Sequence, residues 1–396
     1  FLQILSVDEE QADALEGLDG LYSGDGRWNE LEPVLGRRVH VAEYDDEQVR
    51  LLTRLAKLYR TELGQVEQAI EALQKITELE ETNLDALQQL ADLYRQTENA
   101  SALFGVLEQL TMALPGEQDR CAAFQEMAEI AEHILDRSED AIGLWEEVLM
   151  LAPEHLEALR ELQRLREGAG KWEELAEAIE RELTVLGEGN SDRRAAQHRK
   201  LGTLWRDTLE EPLQSQRHWE QVLTLLPGDR EALDSLRDVY RESGAAEAQA
   251  GILEQLVAQE NEAADALEMW VELATLRQTV LGQPEGAIAA WNEVLDSDAG
   301  HSDALEQLEI LHTESGDWNS ATAILERKVA LCDSRGDEAG ALEFLVQIAE
   351  TFQIQVGDKE AASTAWAAVL EREPSNLEAS YQYEGLCEER EAWEEL

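Results

Sequence analysis

A long internal repeat is the feature of this sequence that most constrains what it can fold into. A tryptophan that precedes a leucine by four residues recurs every 72 to 75 residues, at Trp145, Trp219, Trp291 and Trp366. An alanine-led phrase recurs with the same period, at Ala14, Ala86, Ala158, Ala232, Ala304 and Ala379. A fixed period of this length predicts a stack of like units, each of which buries its apolar face against its neighbours.

The spacing of apolar residues inside each period predicts helices. Leu87, Leu90 and Tyr94 follow the three- and four-residue steps of one helix face. Prolines fall between such stripes, where a proline ends one helix and opens the next. The prolines five residues before a repeating alanine are Pro153, Pro227 and Pro374. No stretch stands out for strand alternation, so the sequence predicts an all-α chain with four helices in each period.

The same period sets the predicted domain organisation. The first helix of each unit is expected to begin near Trp28, Ala100, Trp172, Ala246 and Trp318. The four-helix units are then 28–99, 100–171, 172–245, 246–317 and 318–391, with a partial repeat at 1–27 and the start of another at 392–396, which contains Trp393. Because the sequence begins and ends inside a unit, we expect a single continuous solenoid that is a fragment of a longer chain.

The charge balance disfavours several classes of partner. The formal net charge is −54, from 86 acidic and 32 basic residues. Such a surface repels phosphate backbones, so nucleic acid is not an expected partner, whereas basic proteins or basic peptide segments are. No apolar run approaches the roughly 18 residues of a membrane span, so no direct membrane insertion is expected.

The residue types that usually carry chemistry form no recognised constellation. Cys121, Cys332 and Cys387 are scattered and give neither a disulfide framework nor a zinc spacing. The histidines show no metal-binding spacing, and no phosphate-binding glycine loop or nucleophile elbow is present. We therefore expect no catalytic, cofactor-binding or metal-binding residues, and we predict that the chain is not an enzyme.

A small residue recurs after a large one in the second helix of each period. The small residues are Ala56, Ala128, Gly202, Ala274 and Ala349. A neighbouring helix can approach closely only where no side chain intervenes, so these places are predicted to be points of close helix packing.

These segments resemble the tetratricopeptide repeat. Its motif has a large residue, a leucine three positions later, a small residue next and, after a turn, an alanine and then an aromatic residue four positions further. Trp270, Leu273, Ala274, Ala287 and Trp291 fit those places. The resemblance implies a right-handed superhelical solenoid of about eleven hairpins, used as a scaffold that binds proteins.

The hairpins between these copies match the motif less well. They keep the large and aromatic positions, for example Leu87, Leu90 and Tyr94, but among them the small residue is kept only as Ala91. The residues in the place of the small residue are Asp19, Ala91, Gln163, Arg237, Glu309 and Glu384.

The ten tryptophans allow two interpretations. Their recurrence at two fixed places, the helix phrase above and a hairpin turn at Trp28, Trp172, Trp318 and Trp393, favours packing between hairpins over a ligand-stacking cage. His198 and His312 stand where aromatic residues stand in other repeats. They are interpreted as core substitutes rather than ligands.

One polar place recurs in all six copies, directly before the repeating alanine. Its residues are Asp13, Asp85, Glu157, Glu231, Asp303 and Glu378, called the acidic ladder below. If the family geometry holds, the ladder lines a concave groove and would bind a basic peptide. Alternatively, each carboxylate serves the first turn of a helix, where it interacts favourably with the helix dipole.

Three functions remain open on this evidence. The leading hypothesis is a non-enzymatic scaffold that presents a concave, acidic surface to protein or peptide partners. The alternatives are a structural subunit that self-associates into a larger assembly or filament, and the regulatory region of a larger enzyme. Exposed apolar residues on the outer helices would favour self-association.

Overall fold

The computed structural model describes residues 1–5 and 10–390. Every element within that part of the chain is helical, which confirms the all-α prediction. The chain divides into two compact units, Phe1–Asn190 and Ser191–Leu396. The predicted start of a further repeat at 392–396, with Trp393, lies outside the described residues.

The first unit is a series of antiparallel helices. Its helices are α1 Leu2–Leu5, α2 Ala12–Gly24, α3 Trp28–Val41, α4 Asp45–Leu58, α5 Val66–Leu79, α6 Leu84–Gln96, α7 Ala100–Ala113, α8 Glu117–His133, α9 Ser138–Leu151, α10 Leu156–Gly168 and α11 Trp172–Val185. A π-helical turn, Tyr59–Leu63, extends α4.

The second unit repeats the same arrangement. Its helices are α12 Ser191–Asp207, α13 Pro212–Leu225, α14 Arg230–Ser243, α15 Ala246–Gln259, α16 Ala263–Thr279, α17 Pro284–Ser297, α18 Ser302–Ser315, α19 Trp318–Arg335, α20 Glu338–Glu350, α21 Lys359–Arg372 and α22 Leu377–Glu389. A second π-helical turn, Thr351–Val356, extends α20.

The helix boundaries agree with the sequence signals. Helices α3, α7, α11, α15 and α19 begin at the five residues predicted to start them. Pro153, Pro227 and Pro374 lie two residues beyond the ends of α9, α13 and α21, where they prevent the helix from continuing. Gly244, after α14, has a φ of 71°, a conformation that glycine adopts without a steric penalty from Cβ.

Consecutive helices within each unit pack as hairpins, and polar contacts link alternate helices into two layers. In the even-numbered layer of the first unit, Arg95 of α6 makes two 2.7 Å contacts with Glu126 of α8. In the even-numbered layer of the second unit, Gln278 of α16 donates a hydrogen bond to Gln307 of α18 over 2.7 Å. The odd-numbered helices form the other layer of each unit.

The recurring tryptophan phrase packs into the core of the hairpins. Trp145, Trp219, Trp291 and Trp366 are each at most 3% exposed, which confirms that they pack between helices. The five predicted small residues are buried too, at Ala56, Ala128, Gly202, Ala274 and Ala349. The second tryptophan set is packed less fully, because Trp172 remains 38% exposed.

Polar contacts fill the place where the less regular hairpins lack a small residue. That place faces a residue 19 positions later on the partner helix, in the pairs Asp19–Arg38, Gln163–Glu182 and Glu309–Lys328. In α6 and α7 the same two places hold Ala91 and Leu110, which are both buried. One hairpin geometry therefore accommodates two ion pairs with the acid on the first helix, an amide–carboxylate pair and an apolar pair.

Asp19 shows how such a buried charge is held. Its side chain is 4% exposed and accepts two 2.7 Å hydrogen bonds from Arg54 of α4, besides its contact with Arg38. Burial alone would raise the pKa of Asp19, but the hydrogen bonds from Arg54 and Ser23 and the two guanidinium charges outweigh it and hold that pKa below its usual value.

Candidate partner-binding surface

The acidic ladder occupies one position on the even-numbered helices. Each of its six residues is the second residue of its helix, in α2, α6, α10, α14, α18 and α22. All six side chains are exposed, although the alanine that follows each one is buried. The position is thus open to a partner and also lies over the free N–H groups of a helix start.

A recurring helix cap holds each of these helix starts, and the sequence reasoning missed it. Two residues before each ladder position, a side chain accepts a hydrogen bond from the N–H of the repeating alanine; the caps are Gln11, Asn83, His155, Asp229, His301 and Asn376. The distances are 3.0 Å at Asn83 and 3.2 Å at His155. A search for acceptor side chains two residues before the ladder would have found the caps.

The surroundings of the ladder differ from copy to copy. Glu231 lies 3.5 Å from Arg199 of α12, whereas Asp303 accepts a 3.4 Å hydrogen bond from Ser302 beside it. Asp13, Asp85 and Glu157 belong to the first unit, and Glu231, Asp303 and Glu378 to the second. The structure therefore groups the ladder in threes within each unit.

Open grooves lie between neighbouring even-numbered helices. In the first unit, a groove of about 350 Å³ separates α6 from α8 over the side chains of α7. Asp92, Asp119 and Glu126 line it together with Arg95. Because Arg95 contacts both Asp92 and Glu126, it already neutralises part of this charge.

The groove between α18 and α20 combines an apolar floor with charged walls. It measures about 630 Å³, and Leu331 and Phe344 contribute apolar surface to it. Lys328 Nζ lies 5.2 Å from the centre of the Phe344 ring, a cation–π distance. Ile310, 39% exposed, stands at the same groove.

A groove of about 620 Å³ between α12 and α14 contains a ladder residue. Glu231, Asp234 and Asp238 line its α14 side, and Trp219 lies at its floor. This groove brings a sequence-predicted site residue together with a buried tryptophan that sequence reasoning assigned to the core alone.

The remaining candidates lie in the core or form no cluster. His198 is buried and its Nδ1 lies 3.1 Å from Nδ1 of His218, so it does fill an aromatic place. Within residues 1–5 and 10–390, no three His, Cys, Asp or Glu side chains come together as a potential metal site. The same part of the chain has no helix that is both long and apolar enough to cross a membrane.

Two segments match models of the tetratricopeptide repeat, at residues 49–83 and 304–339. The first falls on α4 and α5, a hairpin of the regular kind. The second falls on α18 and α19, where Glu309 stands in the place of the small residue. Each kind of hairpin is thus represented by one match. No curated protein matches the chain.

Several solved structures are similar over part or nearly the whole of the chain. One is the Naa15/Naa10 complex bound to HypK-THB, with 16% identity and a TM-score of 0.35 over 98% of this chain. This chain spans 57% of the length of that one. Another is YrrB, a TPR protein with an unusual peptide-binding site, with 16% identity and a TM-score of 0.30 over 48% of this chain and 92% of its own.

A third similar structure is the TPR domain of P58(IPK). It has 13% identity and a TM-score of 0.24 over 95% of this chain and 97% of its own. The observed hairpins, the packed motif residues and the two family matches lead to one assignment. The chain contains tetratricopeptide-like repeats.

Proposed function

We propose that this chain is a non-enzymatic scaffold that binds basic, extended protein segments along the layer of even-numbered helices. Tetratricopeptide repeats in general support protein interaction, and two such repeats match here. The observation that carries the finer proposal is the exposed ladder carboxylate at the same position of every second even-numbered helix within each unit.

Three features support a basic partner on this layer. The net charge of −54 gives long-range attraction for cations. The ladder carboxylates are exposed, so a partner can reach them without opening the fold. Grooves between even-numbered helices add further carboxylates, such as Asp92 and Asp238, next to apolar or aromatic floors. An extended segment with alternating basic residues fits this combination.

A titration with a simple basic peptide tests the proposal. The probe is a fluorescein-labelled acetyl-(Ala-Lys)₅-amide, and acetyl-(Ala-Glu)₅-amide of the same length serves as the control. Fluorescence anisotropy should show saturable binding of the lysine peptide, weakening as salt rises from about 0.05 to 0.5 M because screening shortens the electrostatic range. Equal binding of both peptides, or of neither, would refute the proposed basic specificity.

Self-association is the second candidate, and exposed apolar residues on odd-numbered helices favour it. Met112 of α7 is 77% exposed, Met150 of α9 is 68% exposed and Leu213 of α13 is 68% exposed. Sedimentation velocity over a hundredfold range of protein concentration tests this candidate. If the chain assembles through these side chains, larger species should form at high salt, where charge repulsion is screened, and the triple substitution to Gln should remove them.

The regulatory region of a larger enzyme is a third candidate. A catalytic domain encoded in the same gene as these repeats would support it, and the absence of such a domain from that gene would refute it.

A further inference from the structure

The groove between α12 and α14 differs from equivalent places elsewhere in the second unit. At its floor lies Trp219, which is 1% exposed and whose indole N–H has no hydrogen-bond partner. A buried donor without an acceptor is costly, and most such groups in folded proteins are satisfied. The other tryptophans of the same phrase show what is missing here.

In two later repeats, a pair of glutamines satisfies this indole and bridges the helices. Trp291 Nε1 donates to Gln278 Oε1 over 3.0 Å, and Gln278 Nε2 donates in turn to Gln307 over 2.7 Å. Trp366 repeats this chain with Gln353 at 2.9 Å, which donates to Gln382 over 2.9 Å. The bridges join α16 to α18 and the turn after α20 to α22.

In the repeat that contains Trp219, other residues stand in the places of both glutamines. Thirteen residues before Trp219, in the place of Gln278, stands Arg206, and three residues after the repeating alanine, in the place of Gln307, stands Ser235. A guanidinium group has no acceptor atom, and Arg206 Nε donates to Asp207 over 2.7 Å. Ser235 is too short to bridge the helices. The bridge is absent and an open groove takes its place.

The walls of this groove supply charge as well as the indole donor. Its lining includes three carboxylates and two guanidinium groups. The carboxylates belong to Glu231, Asp234 and Asp238, and the guanidinium groups to Arg206 and Arg230. Each of these carboxylates already has an arginine beside it. Arg199 lies 3.5 Å from Glu231, Arg230 lies 3.0 Å from Asp234, and Arg241 lies 3.0 Å from Asp238. A ligand that suits the groove therefore carries an acceptor for the indole, and a cation on that ligand competes with these arginines for the carboxylates.

We propose that the α12–α14 groove is a specific binding site for a lysine-containing extended segment, whose main-chain carbonyl accepts from the Trp219 indole N–H. An extended peptide presents a carbonyl at every residue and a side chain to one side at every second residue. The carbonyl would supply the acceptor that Gln278 supplies to Trp291, while a neighbouring lysine ammonium lies against Asp234 and Asp238. This inference rests on the proposed function and assigns it to one groove.

The indole N–H resonance of Trp219 reports on this site in the whole chain. It is assigned in a ¹⁵N-labelled sample by its absence from the Trp219→Phe variant, and acetyl-(Ala-Lys)₅-amide is then added. Acceptance of the hydrogen bond should move this proton downfield, while the Trp291 and Trp366 indole protons stay in place because they already have acceptors. Saturable peptide binding with an unmoved Trp219 resonance would overturn the inference and leave the proposed function standing. No peptide binding at all would overturn both.

A transplant of the glutamine bridge gives an independent test. The double variant Arg206→Gln/Ser235→Gln recreates the residues found around Trp291, so it should close the groove and satisfy the indole. We expect peptide affinity to fall about 3- to 10-fold, the effect of one hydrogen bond, with a melting temperature at least as high as that of the wild type. Arg217→Gln, an exposed change of the same charge on α13, should leave affinity within about twofold. Unchanged affinity in the double variant would overturn the assignment.

Discussion

Gly202 of α12 lies directly against the indole ring of Trp219 in α13. A Cβ atom on Gly202 would come within 2.6 Å of Trp219 Cε2, closer than carbon atoms can approach. Ser215 Oγ also donates to the Gly202 carbonyl over 2.8 Å, so the two helices meet at backbone distance. In the other repeats an alanine suffices at this place, as at Ala274.

Substitution of Gly202 by alanine should therefore destabilise the second unit. We expect a loss of about 1–3 kcal/mol in the free energy of unfolding, the usual effect of overpacking a core. Gly251→Ala in α15 is the matched control, because its Cβ meets nothing within 4 Å and alanine favours helix by up to about 1 kcal/mol. Urea denaturation of both variants checks the prediction; equal stability of the two would contradict the close contact.

Truncation of Trp219 to alanine should cost about 3–5 kcal/mol locally. In a stack, each repeat contacts only its neighbours, so the loss should appear first in α12–α14. Hydrogen exchange measured by mass spectrometry should show faster exchange in those helices while α4–α6 keep their protection. Unchanged exchange around Trp219 would argue against its role as a core anchor.

The pair Gln163–Glu182 should behave as one unit. Glu182 is fully buried and accepts from Gln163 over 2.8 Å, so Gln163→Ala should cost about 1–3 kcal/mol by removing a partner of a buried carboxylate. The double variant Gln163→Ala/Glu182→Leu copies Ala91 and Leu110, and it should cost less than the sum of the single changes. A double-mutant cycle measured by urea denaturation checks this, and strict additivity would show that the two side chains do not interact.

The facing histidines of the second unit predict a pH dependence. Burial, the neighbouring His198 and Arg217 lower the pKa of His218 to about 4, well below the roughly 6.5 of an unfolded chain. The unfolded state binds the proton more readily, so this stabilisation is complete above about pH 6.5 and is lost as the pH falls towards 4. Leu144 occupies the equivalent place in an earlier repeat. The stability of the His218→Leu variant should therefore fall less than that of the wild type as the pH is lowered from about 6.5 to 4. Parallel pH profiles of the two proteins would contradict the prediction.

The excess of carboxylates predicts that the melting temperature depends on the salt concentration. With a net charge of −54, self-repulsion should be strongest near 0.01 M salt, where the Debye length is about 30 Å, and weaker near 0.15 M, where it is about 8 Å. The melting temperature should rise between these conditions. A melting temperature indifferent to salt would mean that arginine pairs already neutralise the carboxylates locally.

Most of the fold could be predicted from the sequence because local signals determined it. Five helix starts and the buried tryptophan phrase follow from residues that act on their own helix or its nearest neighbour. The polar pairs could not be predicted, since Gln163 gives no sign of meeting Glu182 until the hairpin geometry places them together. Trp172 also shows the limit of periodicity, because a recurring place can be exposed in one copy.

The candidate site was predictable in position but not in detail. The recurrence of acidic residues located the ladder, and one of the two interpretations placed it in the first turn of a helix; the structure shows that it is the second residue of each helix. The groove beside Glu231 depends on two departures from the repeat, Arg206 and Ser235, whose effect on the Trp219 indole requires the structure.

Neutralisation of the ladder tests the central claim most directly. Asp85→Asn, Glu157→Gln, Glu231→Gln and Asp303→Asn are combined, which keeps shape and removes four charges. The melting temperature and the affinity for acetyl-(Ala-Lys)₅-amide are then measured at about 0.05 and 0.5 M salt. We predict a strong loss of affinity that is largest at low salt, with little change in melting temperature. Intact binding together with a loss of a few tenths to about 1 kcal/mol of stability per site, the effect of the helix dipole alone, would contradict the account.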